Sequence, residues 1–317
     1  MKHTTPVLSV VIPSYNEQGN VAAFYQQLTN ELTKDKSLTY ELIYVDDGSS
    51  DNTPEELQKL AKKDDRVRVI TFSRNFGKEI ATTAGVQYAR GDATIIMDAD
   101  GQHPADMIHV FLKKWRAGAQ VVIGVRKKTQ KEGFVSSTGS KLFYKIMNAS
   151  ADDVKLIPKS TDFRLIDKTA REEFNRFTER NRITRGLIDW VGYQKATVEF
   201  VANERMAGEA TYGFMKKAKL GMNSFVSLSL APLHLLIYAG LAITLLSIAA
   251  GIFIIIDDFI LNQLNISGAF ILGDFILFSV GLLLTSQGLI ALYISHIHTE
   301  AQNRPLYIID RSRSVGL

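Results

Sequence analysis

The sequence predicts an α/β domain on a parallel sheet with helices on both faces, continued by a segment that enters a membrane. Three observations carry that prediction. Short β-branched runs alternate with helical patterns from residue 7 to residue 125, and alternation at this spacing builds a parallel sheet. Polar and acidic residues follow directly on several of the expected strands. Residues 1–228 are mixed and charged whereas residues 229–297 are mostly apolar, a division that the near-zero mean hydropathy conceals.

In chain order, strands are expected at Val7–Ile12, Glu41–Val45, Val67–Phe72, Ala93–Met97 and Gln120–Val125. Helices are expected at Gly19–Lys34, Pro54–Lys63, Lys78–Ala89 and Pro104–Arg116. The second helix has a marked start, with Thr53 as N-cap, Pro54 at the first helical position and Glu56 closing a capping box. In such sheets ligands sit beyond the carboxyl ends of the strands. Those ends carry Pro13-Ser14-Tyr15-Asn16-Glu17, Asp46-Asp47-Gly48-Ser49-Ser50-Asp51, Ser73-Arg74-Asn75-Phe76-Gly77-Lys78 and Asp98-Ala99-Asp100-Gly101-Gln102-His103. A single Asp-Gly turn is ordinary turn chemistry, but several polar turns on one rim point to a site.

Two apolar stretches are long enough to span a bilayer. Ala231–Ile256 and Phe275–Ser295 contain no Lys, Arg, Asp or Glu. As a helix the first covers roughly 39 Å at about 1.5 Å per residue, more than the roughly 30 Å of hydrocarbon. Asp257, Asp258 and Asp274 lie between the two, whereas Lys216, Lys217, Lys219, Arg304, Arg311 and Arg313 flank them. The positive-inside rule then puts both termini in the cytoplasm. Residues 214–230 segregate Met215, Ala218, Met222 and Phe225 from Lys216, Lys219, Asn223 and Ser227, the pattern of a helix lying along the interface. The expected organisation is a cytoplasmic catalytic domain at 1–213, a juxtamembrane amphipathic helix at 214–230, a two-helix membrane domain at 231–297 and a cytoplasmic tail at 298–317.

The composition narrows the chemistry. A net charge of +4 over 317 residues is too small to argue for nucleic acid. With no cysteine, disulfides and thiolate metal sites are excluded. His103 and His109 are isolated and read as structural or surface residues. Asp98 and Asp100, spaced as Asp-x-Asp at a strand end, suit a hard divalent cation such as Mg²⁺ or Mn²⁺, which bridges one or two carboxylates to substrate phosphates.

Together, Val10-Val11-Ile12-Pro13-Ser14-Tyr15-Asn16-Glu17, Val45-Asp46-Asp47-Gly48-Ser49-Ser50-Asp51-Asn52-Thr53 and Asp98-Ala99-Asp100-Gly101-Gln102-His103-Pro104 resemble the inverting family 2 glycosyltransferases. The chain is similar to their polyprenyl-phosphate branch, which includes dolichyl-phosphate mannose synthases and bacterial undecaprenyl-phosphate sugar transferases. The resemblance extends through the spans to Arg304-Pro305-Leu306-Tyr307 and implies a GT-A (Rossmann-like) fold. It implies that Pro13, Tyr15, Glu17, Asp46, Asp98 and Lys78 bind the nucleotide, and that Asp98, Asp100 and Gln102 hold the metal and diphosphate. Asp162, in Thr161-Asp162-Phe163-Arg164-Leu165, would act beside the acceptor, with Asp100 the second catalytic residue. Arg126, Ser140, Lys141 and Arg205 would hold the lipid phosphate. Relatives often carry a basic residue four positions before that serine, where this chain has Ser136; Lys131 or Lys141 is the substitute.

The resemblance further implies transfer of a sugar from a nucleotide-sugar, expected to be UDP-linked, to polyprenyl phosphate among membrane lipids, with a homo-oligomer expected. Glucose or N-acetylglucosamine leads among sugars, ahead of mannose or an aminoarabinose derivative. Asp162 is open between base and orienting group. A processive polysaccharide synthase would carry Gln-x-x-Arg-Trp and more spans, and neither is found. A nucleotide-binding subunit of a transporter or flippase is the reading from another class, and two spans without intramembrane charge form a poor pathway for it.

Overall fold

The structure is a computed structural model that describes residues 7–127, 160–180, 182–203 and 268–317. The chain divides into two compact bodies. One is Met1–Met215 with Arg304–Leu317, and the other is Lys216–Asn303.

The first body is a sheet with helices on both faces. Its elements are β1 (Leu8–Ser14), α1 (Val21–Leu32), β2 (Tyr40–Asp46), α2 (Thr53–Lys63), β3 (Val67–Thr71), α3 (Lys78–Tyr88), β4 (Ala93–Ile96), α4 (Met107–Arg116), β5 (Val121–Arg126), β6 (Ser160–Asp167), α5 (Lys168–Arg176), α6 (Thr184–Trp190) and β7 (Lys195–Phe200). The strand order is β3-β2-β1-β4-β6-β5-β7. β1 to β4 run parallel, as expected. Their burial on both faces is the reason they read as near-continuous apolar runs. One cluster centred on Phe24, Leu57 and Phe111 packs below the sheet, and another centred on Ala84, Ile96 and Phe174 packs above it.

Two expectations need correction. The sheet is mixed, because β6 enters antiparallel between β4 and β5. Neither β6 nor β7 was among the expected strands. β6 carries Asp162, Arg164 and Asp167 among its apolar residues, and those charges mask its strand pattern. The second correction concerns α2, which starts at Thr53 with Asn52 before it, so Thr53 is not the N-cap. Its hydroxyl instead donates to Asp51 Oδ1 at 2.6 Å and accepts the Glu17 N–H at 2.8 Å. Asn52 takes the N-cap position without a side-chain cap, and the Asp51 carboxylate before it accepts the Thr53 N–H at 3.0 Å.

The antiparallel entry of β6 has a geometric consequence. Ile96 pairs with Arg164, so continuing the register by two residues sets Asp98 opposite Asp162. A parallel strand would have carried its residue 162 toward the opposite rim.

The C-terminal segment returns to the first body and lies along β3. Val69 and Val315 exchange N–H donors at 3.0 and 2.9 Å, Asp310 donates its N–H to the Thr71 carbonyl at 2.8 Å, and Ser73 donates to Ile308 at 2.9 Å. Tyr307 stacks on Phe72 with ring centroids 4.9 Å apart and donates its hydroxyl to Gln87 at 2.7 Å. An edge strand that would otherwise expose a row of donors is thereby covered.

In the second body one helix is described, α7 (Gly268–Ala301), of 34 residues. It contains all of the expected second span. It also contains Asp274, which was expected in the loop before that span. Residues 268–273, ahead of Asp274, are already helical. Taken over the described residues alone, no helix is long and apolar enough to cross a membrane. The interfacial helix at 214–230 and the first span at 231–256 lie outside the described residues.

Candidate active site at the carboxyl rim of the sheet

Four loops and the start of β6 meet at the carboxyl ends of β1 to β4. The first two loops are laced together. Asn16, held at φ 55°, donates its N–H to Ser49 Oγ at 2.9 Å and accepts the Ser50 N–H at 2.9 Å. Gln18 accepts the Asn52 N–H at 3.0 Å. Of the expected nucleotide residues, Pro13 lies inside β1, paired in register with Val45, rather than in the loop after it. Tyr15 is exposed at the rim. Glu17 accepts the side-chain amide of Asn20 at the start of α1.

The Asp46-Asp47 pair divides its work. Asp46 is buried, and its Oδ1 accepts the Ser49 N–H at 3.1 Å. Its Oδ2 is buried and meets no hydrogen-bond donor among the described residues, as expected of a carboxylate waiting for a ligand N–H or O–H. Burial pushes this carboxyl upward, partly offset by the Ser49 hydrogen bonds. Asp47 faces the third loop and accepts the Phe76 and Gly77 N–H groups at 2.7 and 2.9 Å. Burial raises it to about 6 against those bonds. The two loops touch so closely at Gly48, φ 66°, that a Cβ there would come 2.4 Å from the Arg74 carbonyl carbon; glycine alone fits.

The third loop ends in Lys78, the first residue of α3. Its ammonium lies 2.7 Å from Asp98 Oδ1 and 3.1 Å from Asp162 Oδ2. Burial alone would lower this amine, but the two carboxylate charges raise it well above its ordinary value. Burial likewise opposes ionisation of Asp162, yet Lys78, Arg185 and Arg164 outweigh it and hold the carboxyl at about 2. These cations favour the ionised form of Asp162 and make it a weaker proton acceptor than an ordinary carboxylate. Beside it, burial raises the Glu79 carboxyl, which accepts the Thr184 N–H at 2.8 Å.

Asp162 is neither a turn cap nor the partner of Arg164. It lies within β6. Arg164 is fully buried and donates to Asp189 Oδ1 at 2.9 Å, to the Arg185 carbonyl at 3.2 Å and to the Thr161 carbonyl at 3.1 Å. It fastens α6 to β6 and so holds Arg185 near Asp162.

In the fourth loop, Asp100 Oδ1 accepts the Gln102 N–H at 3.1 Å. Asn203, just past β7, donates its N–H to the Gln102 carbonyl at 3.1 Å. His103 is structural, as expected: it is buried, stacks on Phe163 with centroids 4.7 Å apart, and accepts the Asp98 N–H at Nδ1. Burial lowers its basicity. His109 sits at the surface beside Glu31. Among the described residues no group of three or more His, Cys, Asp or Glu side chains forms a metal cage. Asp98 and Asp100 offer instead two hard carboxylates at one strand end, a set that fits Mg²⁺ or Mn²⁺ shared with a diphosphate.

Arg126 ends β5 beside Phe200 of β7. The structure brings Asp98, Lys78 and Asp162 together but gives Arg126 no described contact with them. Ser140, Lys141 and Arg205, with Lys131 and Ser136, lie outside the described residues. Sequence reasoning counted Asp47 with Asp46 at a strand end but gave it no role of its own, and it passed over Glu79, Arg185 and Asn203. The adjacent acidic pair after β2 was a usable signal for Asp47. Nothing local in the sequence points to the other three, which the antiparallel β6 and its neighbours bring in.

Residues 9–174 match the sequence model of Glycosyl transferase family 2. The chain belongs to that family. Among curated relatives of this glycosyltransferase is an uncharacterized glycosyltransferase, YkcC, of Bacillus subtilis (strain 168), 37% identical over 97% of this chain and 94% of the relative. A bactoprenol glucosyl transferase of Shigella phage SfII is 34% identical over 96% and 98%. A prophage bactoprenol glucosyl transferase homolog of Escherichia coli (strain K12) is 33% identical over 96% and 98%. Among solved structures, glucosyl-3-phosphoglycerate synthase from Mycobacterium tuberculosis, in complex with Mn²⁺, UDP and phosphoglyceric acid, is 18% identical with a TM-score of 0.48 over 71% of this chain and 78% of that one.

Proposed function

We propose that this glycosyltransferase moves glucose from a UDP-sugar to a polyprenyl phosphate, with inversion, at the cytoplasmic face of a membrane. The observation that carries the reading is Lys78, which ties the Asp98 end of the donor rim to Asp162 across the β4–β6 register. Relatives named bactoprenol glucosyl transferases, matched along nearly their whole length, support glucose and the lipid acceptor.

The acceptor is a phosphate oxygen, already anionic near neutral pH, so no general base is needed. Asp162, fixed as an anion by Lys78, orients the acceptor phosphate through the cations around it, Lys78 and Arg185. Asp46 takes a donor from the nucleoside through its unpartnered Oδ2. Asp98 and Asp100, with Gln102, would hold a divalent ion, which when bound would supply Lewis-acid stabilisation of a departing diphosphate. Arg126, with Ser140, Lys141 and Arg205, receives the lipid phosphate, Arg being suited to bidentate contact. In-line attack on the anomeric carbon from the side opposite the diphosphate inverts its configuration.

Membrane attachment through two spans is part of the same proposal. The charge-free stretches 231–256 and 275–295 support it. So does the division of the chain, in which residues on either side of 216–303 belong to one body.

The deciding experiment uses the full chain in detergent with undecaprenyl phosphate and separate UDP-glucose, UDP-N-acetylglucosamine and GDP-mannose, read by the mass of the lipid product. A hexose-phosphate lipid from UDP-glucose alone is expected. No lipid product from any donor sinks the reading. The metal assignment has its own check. Asp100→Ala should abolish transfer and weaken calorimetric Mn²⁺–UDP binding while leaving circular dichroism unchanged. Full activity of that variant in chelator removes the metal from the site.

A further inference from the structure

Arg185 reaches the acceptor side from α6, a helix of 7 residues, and two anchors fix that helix. Arg164 donates to the Arg185 carbonyl at 3.2 Å and to Asp189 Oδ1 at 2.9 Å. The other anchor is at the start. The first N–H groups of a helix have no partner inside it, and Ile183, ahead of Thr184, supplies no side-chain cap. The partner comes from α3 instead. Thr184 donates its N–H to Glu79 Oε2 at 2.8 Å and its hydroxyl to the Glu79 carbonyl at 3.4 Å. Glu79 directly follows Lys78 in the first turn of α3. Lys78, Glu79, Asp162, Thr184 and Arg185 line one small cavity of about 10 Å³. The carboxylate that holds α6 and the arginine that α6 presents therefore face the same space as the Lys78–Asp162 pair.

We propose that Glu79 is a positioning residue for the acceptor phosphate and that it acts through Arg185. This rests on the reading of Lys78, Asp162 and Arg185 as the groups that orient that phosphate. One turn of α3 then sets both cations. Lys78 is placed by its own position in the helix, and Arg185 by the Thr184 N–H one residue before it. Glu79 holds the 184–185 unit from its amide side and Arg164 holds it from its carbonyl side. An arginine whose backbone is fixed on both sides has less freedom to lose when it binds a phosphate. The hydrogen bond that does this needs an acceptor oxygen at the reach of a Glu side chain. Gln supplies that oxygen and Ala does not.

The test uses the full chain in detergent with UDP-glucose and undecaprenyl phosphate, and UDP with Mg²⁺ as the calorimetric probe. Glu79→Ala should lower kcat/KM for undecaprenyl phosphate about 10-fold, the scale of one hydrogen bond to a charged group. The KM for UDP-glucose and the affinity for UDP should stay within about 2-fold of wild type, a split between substrates that general loosening would not give. Glu79→Gln should stay within about 3-fold of wild type on every measure, because the acceptor oxygen is kept. In an Arg185→Ala background Glu79→Ala should add almost nothing, since a residue that acts through another has no effect once that other is gone. Should Glu79→Ala lose its circular dichroism, Thr184→Pro removes the same N–H at a first helical position, where proline is tolerated, and should show the same acceptor loss. Wild-type acceptor kinetics in the folded Ala variant or in Thr184→Pro overturns the inference. So does a Gln variant as impaired as Ala, an equal loss of UDP affinity, or a full loss in the Arg185→Ala background. No lipid product from the wild-type chain overturns the acceptor reading itself and this inference with it.

Discussion

At the scale of single residues, charge placement decides what each carboxylate can do. The family resemblance gave Asp98, Asp46 and Asp162 different roles, and the structure separates them by what each meets. Asp162 meets Lys78, so its role is electrostatic orientation. Asp162→Asn removes that charge and leaves Lys78 to Asp98. Turnover should fall about 100-fold, the scale of loss when a reacting group is displaced by about 1 Å. Calorimetric affinity for UDP should change far less. Near-normal turnover in this variant, or lost UDP binding with the fold intact, takes Asp162 out of the mechanism. Asp47 gives a pH prediction with a definite sign. Its folded pKa, about 6, lies above the ordinary aspartate value near 3.9. Its contribution to stability is therefore complete below about 4 and is lost as pH rises through about 6. Relative to Asp47→Asn, the wild-type chain should gain on the order of 2 kcal/mol between pH 7 and pH 4, since one pKa unit is about 1.4 kcal/mol. Urea titrations of both proteins at the two pH values measure this, and parallel stability curves refute it.

At the scale of elements, the parallel half of the sheet was legible and the antiparallel insertion was not. β1 to β4 are buried on both faces, so their apolar runs stand out, and the polar turns after them showed where the rim lies. β6 carries charged residues that make sense only in three dimensions. Arg164 is fully buried because Asp189, twenty-five residues later, is buried beside it, and no local pattern announces such a pair. Asp162 was found through motif resemblance, and its position opposite Asp98 follows only from strand direction. The Arg164–Asp189 contact should matter chiefly for stability. Removing one partner of a buried pair costs about 3–5 kcal/mol. Arg164→Met should lower the midpoint of thermal unfolding by roughly 10 °C, at about 2–4 °C per kcal/mol for a domain this size. Asp189→Leu alone should cost a similar amount, and the double variant clearly less than the sum of the two. Strict additivity in that cycle refutes direct coupling.

At the scale of the whole molecule, the return of the tail constrains how the chain treats a bilayer. Residues 308–315 hydrogen-bond to β3, and β3 belongs to the body that holds the rim. If the apolar stretches span, the chain must cross an even number of times, because a single crossing would leave the tail on the wrong side to pair with Val69. The sequence offers two charge-free stretches of spanning length, and two is the smallest even number. The flanking Lys and Arg residues favour the cytoplasm for both ends. Asp274 lies within α7, so a reporter for the far side belongs between residues 257 and 267. A reporter fused after Leu317 should register the cytoplasm, and one inserted in 257–267 the opposite side. The C-terminal fusion tests the tail as well, since a fusion that leaves transfer activity intact shows that the docked segment tolerates it. Reporters on the same side defeat the two-span topology. A C-terminal reporter outside the cytoplasm, in an active enzyme, defeats the pairing of the tail with β3 together with it.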